Sequence, residues 1–265
     1  MSNIAVTHAE SGLIEAEVIR AERVTPHMMR ITLGGPDVGR FAFQGFDQWF
    51  RLALPVAGGG ELRRLPQKFG LGGSLRWLMM PKGARPVIRN YTVRDARSDP
   101  PEIDVDFVVH GDAGVAGPWA ARAQPGDRVA LIDQGCGWTD PVAGRVLLVA
   151  DESGLPAVAG ILRDLPRTAR GRALIELFDA RDEQPTGAPD GVEVTWLVRG
   201  EGEAPGSLAL PALRELGEVD PATVAFCVGE QALATGARRH LVREAGLPKG
   251  QVTFSGYWRL GRAAI

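Results

Sequence analysis

The first half of the chain alternates. From Leu13 to Ile19 apolar and polar residues trade places, the period of a strand with one face buried. His27–Leu33 is short and β-rich and runs into Gly34-Gly35-Pro36, while Trp49–Leu54 stops at Pro55. Asn90–Val93, Ile103–Val109 and Val129–Ile132 add further short β-branched runs. Short strands broken by Gly/Pro turns, with little helical spacing between them, predict a small barrel or sandwich. Val56–Pro81 is rich in glycine and arginine and shows no clear period. It is long for a connection and reads as a functional or mobile loop.

The pattern changes near Gly144. Arg145–Ala150, Ala173–Phe178, Val192–Val198, Thr223–Val228 and Val252–Phe254 read as strands, several of them nearly continuous apolar runs. Between them, Leu155–Leu165, Leu208–Leu216 and Gln231–Ala245 have helical spacing; Pro166 follows the first and Gly246 the last. Apolar strands alternating with helices predict a parallel sheet covered on both faces. The boundary between the two patterns falls near Pro141–Gly144, giving domains of residues 1–142 and 143–265. At roughly 150 residues per domain, a chain of 265 residues has room for both.

Composition narrows the function. With 30 basic and 32 acidic residues the formal net charge is −2, so no global field recruits nucleic acid or an anionic membrane. The start of the chain reads as neither a signal nor a transit peptide, and no run approaches the ~20 apolar residues of a spanning helix. Cys136 and Cys227 have no metal-knuckle or redox spacing and read as reduced core residues of a cytoplasmic protein. The histidines are His8, His27, His110 and His240, with no i, i+4 pair to hold zinc. No metal site is expected. Lysine occurs only at Lys68, Lys82 and Lys249, so arginine carries nearly all the positive charge.

The densest polar cluster in a strand is Arg89-Asn90-Tyr91-Thr92-Val93-Arg94. Residues two apart share a strand face, so Arg89 and Tyr91 lie side by side, a guanidinium suited to phosphate beside a flat ring. A half-exposed barrel strand with surface arginines would have the same pattern. No Gly-x-Gly-x-x-Gly follows a strand; Gly135-Cys136-Gly137 is a near miss, and an ordinary Rossmann dehydrogenase is not supported. Asp151–Ser153 and Gly229-Glu230 follow strands at the end of a parallel sheet where ligands bind. Asp151 and Glu152 would repel a diphosphate, so they are candidates for ribose or nicotinamide contact, or for capping a helix.

Arg89–Arg94, read as Arg-x-Tyr-Thr-x-Arg, resembles the flavin motif of siderophore-interacting proteins, the FAD-dependent ferric-siderophore reductases of the ferredoxin–NADP reductase-like group. Val105–Gly111, Ala116–Ala120, Asp151–Pro156 and Gly256–Arg262 resemble later segments of that family in the same order, so the likeness runs from about Val18 to Arg262. It implies an antiparallel Greek-key β-barrel that binds FAD, followed by an α/β parallel-sheet domain that binds NADPH or NADH. Carried over residue by residue, Arg89 meets the FAD pyrophosphate, Tyr91 stacks on the isoalloxazine and Thr92 bonds near its reactive edge, making Tyr91 and Thr92 the catalytic pair. Arg94 adds a second cation. Val108, His110 and Gly111 line the phosphate path, and Gly114, Ala116, Gly117 and Trp119 belong to a segment opening a helix toward the pyrophosphate; Trp119 taken alone reads as core rather than cofactor contact. Asp151, Glu152, Ser153, Gly229 and Glu230 fall to the nicotinamide side, and Arg181 is a candidate for a 2′-phosphate.

The family often carries a hydroxyl residue where this chain has Gly117, and a non-proline at Pro118. It also has a His-x-Lys pattern where Trp49 and Arg51 stand. Arg51, Lys82, Arg259 and Arg262 are candidates to attract an anionic ferric siderophore; Arg63, Arg64 and Arg76 read as a solvated loop or as the rim of that cleft, and Tyr257 and Trp258 as packing on the last strand or as cover for the flavin. The implied activity moves electrons from NAD(P)H through FAD to chelated Fe(III) and releases Fe(II), in a cytoplasmic monomer without membrane or nucleic-acid partners. The alternatives are a reductase for a ferredoxin- or flavodoxin-type acceptor, and a siderophore- or flavin-binding protein without turnover.

Overall fold

The computed structural model describes residues 2–6, 11–55, 62, 65–67, 71–81, 85–110, 114–138 and 144–261. The chain divides into two compact units, Val6–Cys136 and Met1–Ala5 with Gly137–Ile265.

The first unit is a seven-stranded antiparallel sheet. Its strands are β1 (Leu13–Thr25), β2 (Met28–Gly34), β3 (Trp49–Leu54), β4 (Val87–Thr92), β5 (Asp95–Ser98), β6 (Pro101–Val108) and β7 (Arg128–Gly135). Their order is β4-β3-β7-β1-β2-β6-β5. The edge strands β4 and β5 are consecutive in the chain, with Val93 and Arg94 alone between them, so the sheet has to curl until its edges meet. The Arg94 N–H donates to the Asp104 carbonyl on β6 at 2.8 Å, and the Tyr91 ring on β4 lies 4.2 Å from Phe107 on β6. This closure gives the barrel that the alternation predicts, since every second residue turns inward. Ile14, Ala16 and Val18, then Ile31 and Leu33, Phe50, Leu52 and Leu54, Val105 and Phe107, and Val129 and Leu131 form one core. Each Val, Leu, Ile or Phe among them contributes roughly 1.5–3 kcal/mol by leaving water.

A helix, α1 (Leu71–Leu78), lies within the stretch read from sequence as a functional or mobile loop. The glycine pair Gly72-Gly73 hides its period, but Trp77 and Met80 pack with Leu62 and Leu65 on Ala53, Ala130 and Ile132. A second short helix, α2 (Ala116–Ala120), sends Ala116 and Ala120 into the barrel core.

The second unit is a five-stranded parallel sheet of β8 (Arg145–Ala150), β9 (Arg170–Leu177), β10 (Val192–Val198), β11 (Val224–Glu230) and β12 (Val252–Trp258), in the order β10-β9-β8-β11-β12. Helices α4 (Ala209–Glu215) and α5 (Gln231–Arg243) cover the face bearing Leu147, Val149, Ala225 and Cys227. Helix α3 (Leu155–Asp164) starts against the other face, where a Cβ on Gly154 would meet Val228 and Ala150. Gly171 is fixed by the sheet itself: at φ +148° its added Cβ would sit 1.9 Å from the Val146 carbonyl oxygen. Cys227 is core, and burial pushes its thiol up to about 12. Cys136 is half-buried rather than core; its Sγ lies 3.5 Å from the Gly45 carbonyl, just past the end of β7.

Candidate functional site

Strand β4 carries the flavin candidates. It pairs with β3 so that Tyr91 opposes Phe50 and Arg89 opposes Leu52, both core residues, which turns Arg89 and Tyr91 to the inner side of the sheet. Tyr91 stays half-buried there. Its ring rests on Phe107, which in turn rests on Trp119 at 5.5 Å. Burial pushes the Tyr91 phenol up, and the nearby Arg89 cation pulls it part of the way back. Arg89 is half-buried and donates to the Ile88 carbonyl at 2.7 Å. Thr92 ends the strand on the opposite face, buried across from Trp49. Arg94 turns to Asp106, 3.4 Å away, where Arg30 already binds both carboxylate oxygens at 2.7 and 2.8 Å. Arg94 therefore serves the barrel's charge network, together with Arg97 on Asp104 and Glu102.

At the end of β6, Val108 is half-buried and His110 exposed, while Gly111 lies outside the described residues. Gly114, at φ +85°, has open space where a side chain would be. Among the described residues the start of α2 has no side-chain cap, and the first-turn N–H groups of a helix have no intrahelical partner. Pro118 withholds one of those donors. Gly117 has a spatial reason: a Cβ there would lie 3.1 Å from the Val108 carbonyl oxygen, so glycine lets α2 cross the end of β6 closely. The Ala116 side chain is core, which leaves its backbone as the part able to meet a ligand. A half-exposed ring, a guanidinium and an uncapped helix start are the chemistry a flavin nucleotide requires, so this unit's residues fit FAD.

The carboxyl ends of the parallel strands are organised around Asp151. This fully buried carboxylate accepts from the Ser153 amide (2.9 Å) and hydroxyl, from the Gly154 amide (3.3 Å), from the Glu230 amide (2.6 Å) and from the Trp258 indole (3.1 Å). Burial raises its pKa and these donors hold it down in part. Gly229, at φ +121°, has to be glycine, because a Cβ would fall 2.5 Å from Asp151 Oδ1. Glu230 caps α5 through the Ala232 and Leu233 amides and accepts from the Leu260 amide at 3.1 Å. Glu152 is buried against Arg199, whose Nη1 lies 2.8 Å from Oε2. Burial, and then the charge of Asp151, push Glu152 up to about 7. Arg199 also meets Glu176 at 3.4 Å and lies over the Phe178 ring at 4.4 Å, and Glu176 accepts from the Gly206, Leu208 and Ala209 amides.

Asp151 and Glu152 read from sequence as ribose or nicotinamide contacts or as helix caps; Asp151 is engaged as a cap and Glu152 as an ion-pair partner, and Glu230, read to the nicotinamide side, caps α5. Their hydrogen bonds fix the shape of the two loops. Arg199 and Glu176 were missed by sequence reasoning. The signal was there in an ionisable residue inside the apolar run of β9 and an arginine directly after β10.

The other candidates scatter. Arg51 is half-buried on the outer face of β3 opposite Asn90, and desolvation lowers its pKa. Arg259 is exposed, and Tyr257 and Trp258 are half-buried on β12. Lys82, Arg262, Arg63 and Arg64 lie outside the described residues, as does the Arg76 side chain. Arg181 is held by both carboxylate oxygens of Asp179, so its charge is partly spent within its own turn.

Family models match both units: the siderophore-interacting FAD-binding domain over residues 17–137 and the siderophore-interacting protein domain over residues 143–261. The chain belongs to the siderophore-interacting protein family. Among its relatives is the ferric vibriobactin reductase ViuB of Vibrio cholerae, 31% identical over 251 residues that cover 93% of this chain and 89% of that one. An NADPH-dependent ferric-chelate reductase of Escherichia coli is 32% identical over 192 residues, 71% of this chain and 72% of that one. The crystal structure of a siderophore utilization protein from T. fusca superposes with a TM-score of 0.79 at 33% identity, covering 98% of each chain. The family fold is that of the ferredoxin reductases: one in carbazole 1,9a-dioxygenase superposes with a TM-score of 0.66 at 17% identity, covering 93% of this chain and 69% of that one. This family member is an FAD-dependent oxidoreductase. Among the described residues, no helix is long and apolar enough to cross a membrane, and no His/Cys/Asp/Glu group could hold a metal ion.

Proposed function

We propose that this chain is a ferric-siderophore reductase, taking electrons from NADPH or NADH and delivering them to chelated Fe(III). The observation that carries the reading is the pairing of Arg89 and Tyr91 on the inner side of β4, beside an uncapped helix start. The reductase activities of the V. cholerae and E. coli relatives support the choice of acceptor.

Bound FAD would supply the step a protein lacks, accepting a hydride and releasing single electrons. The residues would do the rest. Arg89 and the first-turn amides of α2 would neutralise the pyrophosphate. Tyr91, braced by Phe107, would present a flat face to the ring, and Thr92 would bond its edge at the strand end. The Asp151 and Glu230 network would fix the two loops that receive the nicotinamide nucleotide, with Ser153 beside them. Arg51 and Arg259 would draw an anionic chelate. Fe(II) binds hard oxygen donors more weakly than Fe(III), so reduction alone would release the metal.

The test is turnover: FAD-reconstituted protein with NADPH or NADH, a ferric siderophore and a colorimetric Fe(II) trap. Trapped Fe(II) that depends on all three components supports the proposal. Reduction of ferredoxin or flavodoxin without any ferric chelate would assign a protein acceptor. A flavin that neither nucleotide bleaches would leave a binding protein.

A further inference from the structure

The parallel sheet runs β10-β9-β8-β11-β12, so in chain order its strands lie 3-2-1-4-5 from one edge to the other. That is the doubly wound dinucleotide-binding order, with the ligand crevice where the order reverses, between β8 and β11. In such sheets the end of the second strand meets the adenosine ribose. A carboxylate there accepts the 2′-hydroxyl of NAD, whereas an arginine accommodates the 2′-phosphate of NADP. The second strand here is β9, which ends at Leu177, and both residue types follow it as Asp179 and Arg181.

Their geometry decides between the two. Asp179 is fixed by the turn Ala180–Asp182, which it caps by accepting from the Arg181 amide at 2.9 Å. The Arg181 guanidinium folds back on the same carboxylate, with Nε 3.0 and 3.1 Å from its two oxygens and Nη2 donating to Oδ2. Arg181 is exposed and Asp179 half-buried, so a ligand can reach both. A 2′-phosphate that recruits Arg181 has to take it from Asp179 and then lie beside that carboxylate, where like charges repel. A ribose hydroxyl donates to the carboxylate and meets no such conflict. The next strand end supplies no substitute: Arg199, directly after β10, is buried between Glu152 at 2.8 Å and Glu176 at 3.4 Å. Across the segments 151–154, 178–183 and 199–203, which follow β8, β9 and β10, seven acidic residues stand against these two arginines. An extra phosphate is therefore opposed by the whole rim as well as by Asp179.

We propose that this chain selects NADH over NADPH and that Asp179 makes the choice, by accepting the ribose 2′-hydroxyl and repelling a 2′-phosphate. The proposal deepens the reductase reading and rests on it only in placing a nicotinamide nucleotide at these strand ends. It sets this chain apart from the NADPH-dependent E. coli relative.

The experiment is calorimetric titration of the full chain, FAD-reconstituted, with NAD+ and with NADP+, which bind without reducing the flavin. NAD+ should bind at least about tenfold more tightly. Asp179→Asn keeps an oxygen to cap the turn but removes the charge and frees Arg181 for a phosphate. It should weaken NAD+ and tighten NADP+, moving their ratio at least about tenfold, with the wild-type melting curve retained. Anaerobic bleaching of the flavin by NADH and NADPH should differ in KM and agree within about threefold in rate at saturation, since the reacting rings are identical. Wild-type protein that binds NADP+ as tightly as NAD+ overturns the proposal, as does an Asp179→Asn ratio equal to that of wild type, or binding of neither nucleotide. Protein that releases Fe(II) equally well with either nucleotide keeps the reductase reading and overturns this one alone.

Discussion

Asp151→Asn tests how the second unit holds its ligand end. Every partner of this carboxylate is a donor: Oδ1 receives the Ser153 and Gly154 groups, and Oδ2 receives the Glu230 amide and the Trp258 indole. An asparagine has to point its NH2 at one of these sets. At Oδ2 it meets two donors that cannot turn round. At Oδ1 only the Ser153 hydroxyl can rotate to accept, and two backbone amides stay unpaired. Either way about two hydrogen bonds to a charged group are lost, at about 1.5–3 kcal/mol each. Removing a buried charge beside Glu152 offsets part of that loss, which leaves a net of about 2–4 kcal/mol. Urea unfolding followed by circular dichroism measures the total. Amide exchange at Glu230 and Ser153 localises it, and these two should exchange at least about tenfold faster. FAD affinity should not change, because the flavin candidates belong to the Val6–Cys136 unit. A variant as stable as wild type within about 0.5 kcal/mol, with the Glu230 amide equally protected, would refute the reasoning.

Glu152 makes stability depend on pH. Its carboxyl titrates near 7 in the native state, so the folded chain keeps a proton that the unfolded chain loses in the ordinary glutamate range. This group's share of stability therefore falls as pH rises from that range to about 7, by up to about 3 kcal/mol, and is flat above. Urea melts across the same window should show that slope in wild type and a flatter one in Glu152→Gln; equal slopes would contradict it. Gly171→Ala places a Cβ 1.9 Å from a carbonyl oxygen on β8, and a thermal melt should show a loss of about 3 kcal/mol or more. A melt unchanged from wild type would mean the strands do not approach so closely.

What could be read in advance follows from what each residue answers to. The barrel strands were legible because Ile14, Ala16 and Val18, or Phe50, Leu52 and Leu54, report their buried face directly at period two. The side-by-side placement of Arg89 and Tyr91 came from the same rule. Strand β5 was not legible: Asp-Ala-Arg-Ser offers no apolar run, and the strand is held by Arg97 on Glu102 and Asp104. Helix α1 hid behind Gly72-Gly73, and tertiary anchoring of Trp77 and Met80 supplies what propensity lacks. Asp151 and Glu152 announced two carboxylates at a strand end. The local Asp151–Ser153–Gly154 cap was open to reading, but Glu230, Trp258 and Arg199 stand far along the chain, so no local pattern could show these further partners.

The claim on which the account depends is that β4 grips the flavin, and FAD titration of the apoprotein, followed by flavin fluorescence and visible absorbance, tests it most directly. Wild type should bind FAD stoichiometrically. Arg89→Ala and Tyr91→Ala should each weaken binding about tenfold or more, while Tyr91→Phe, which keeps the ring, should stay within about threefold. FAD binding untouched by either alanine, or no FAD binding by the wild-type chain, would contradict it.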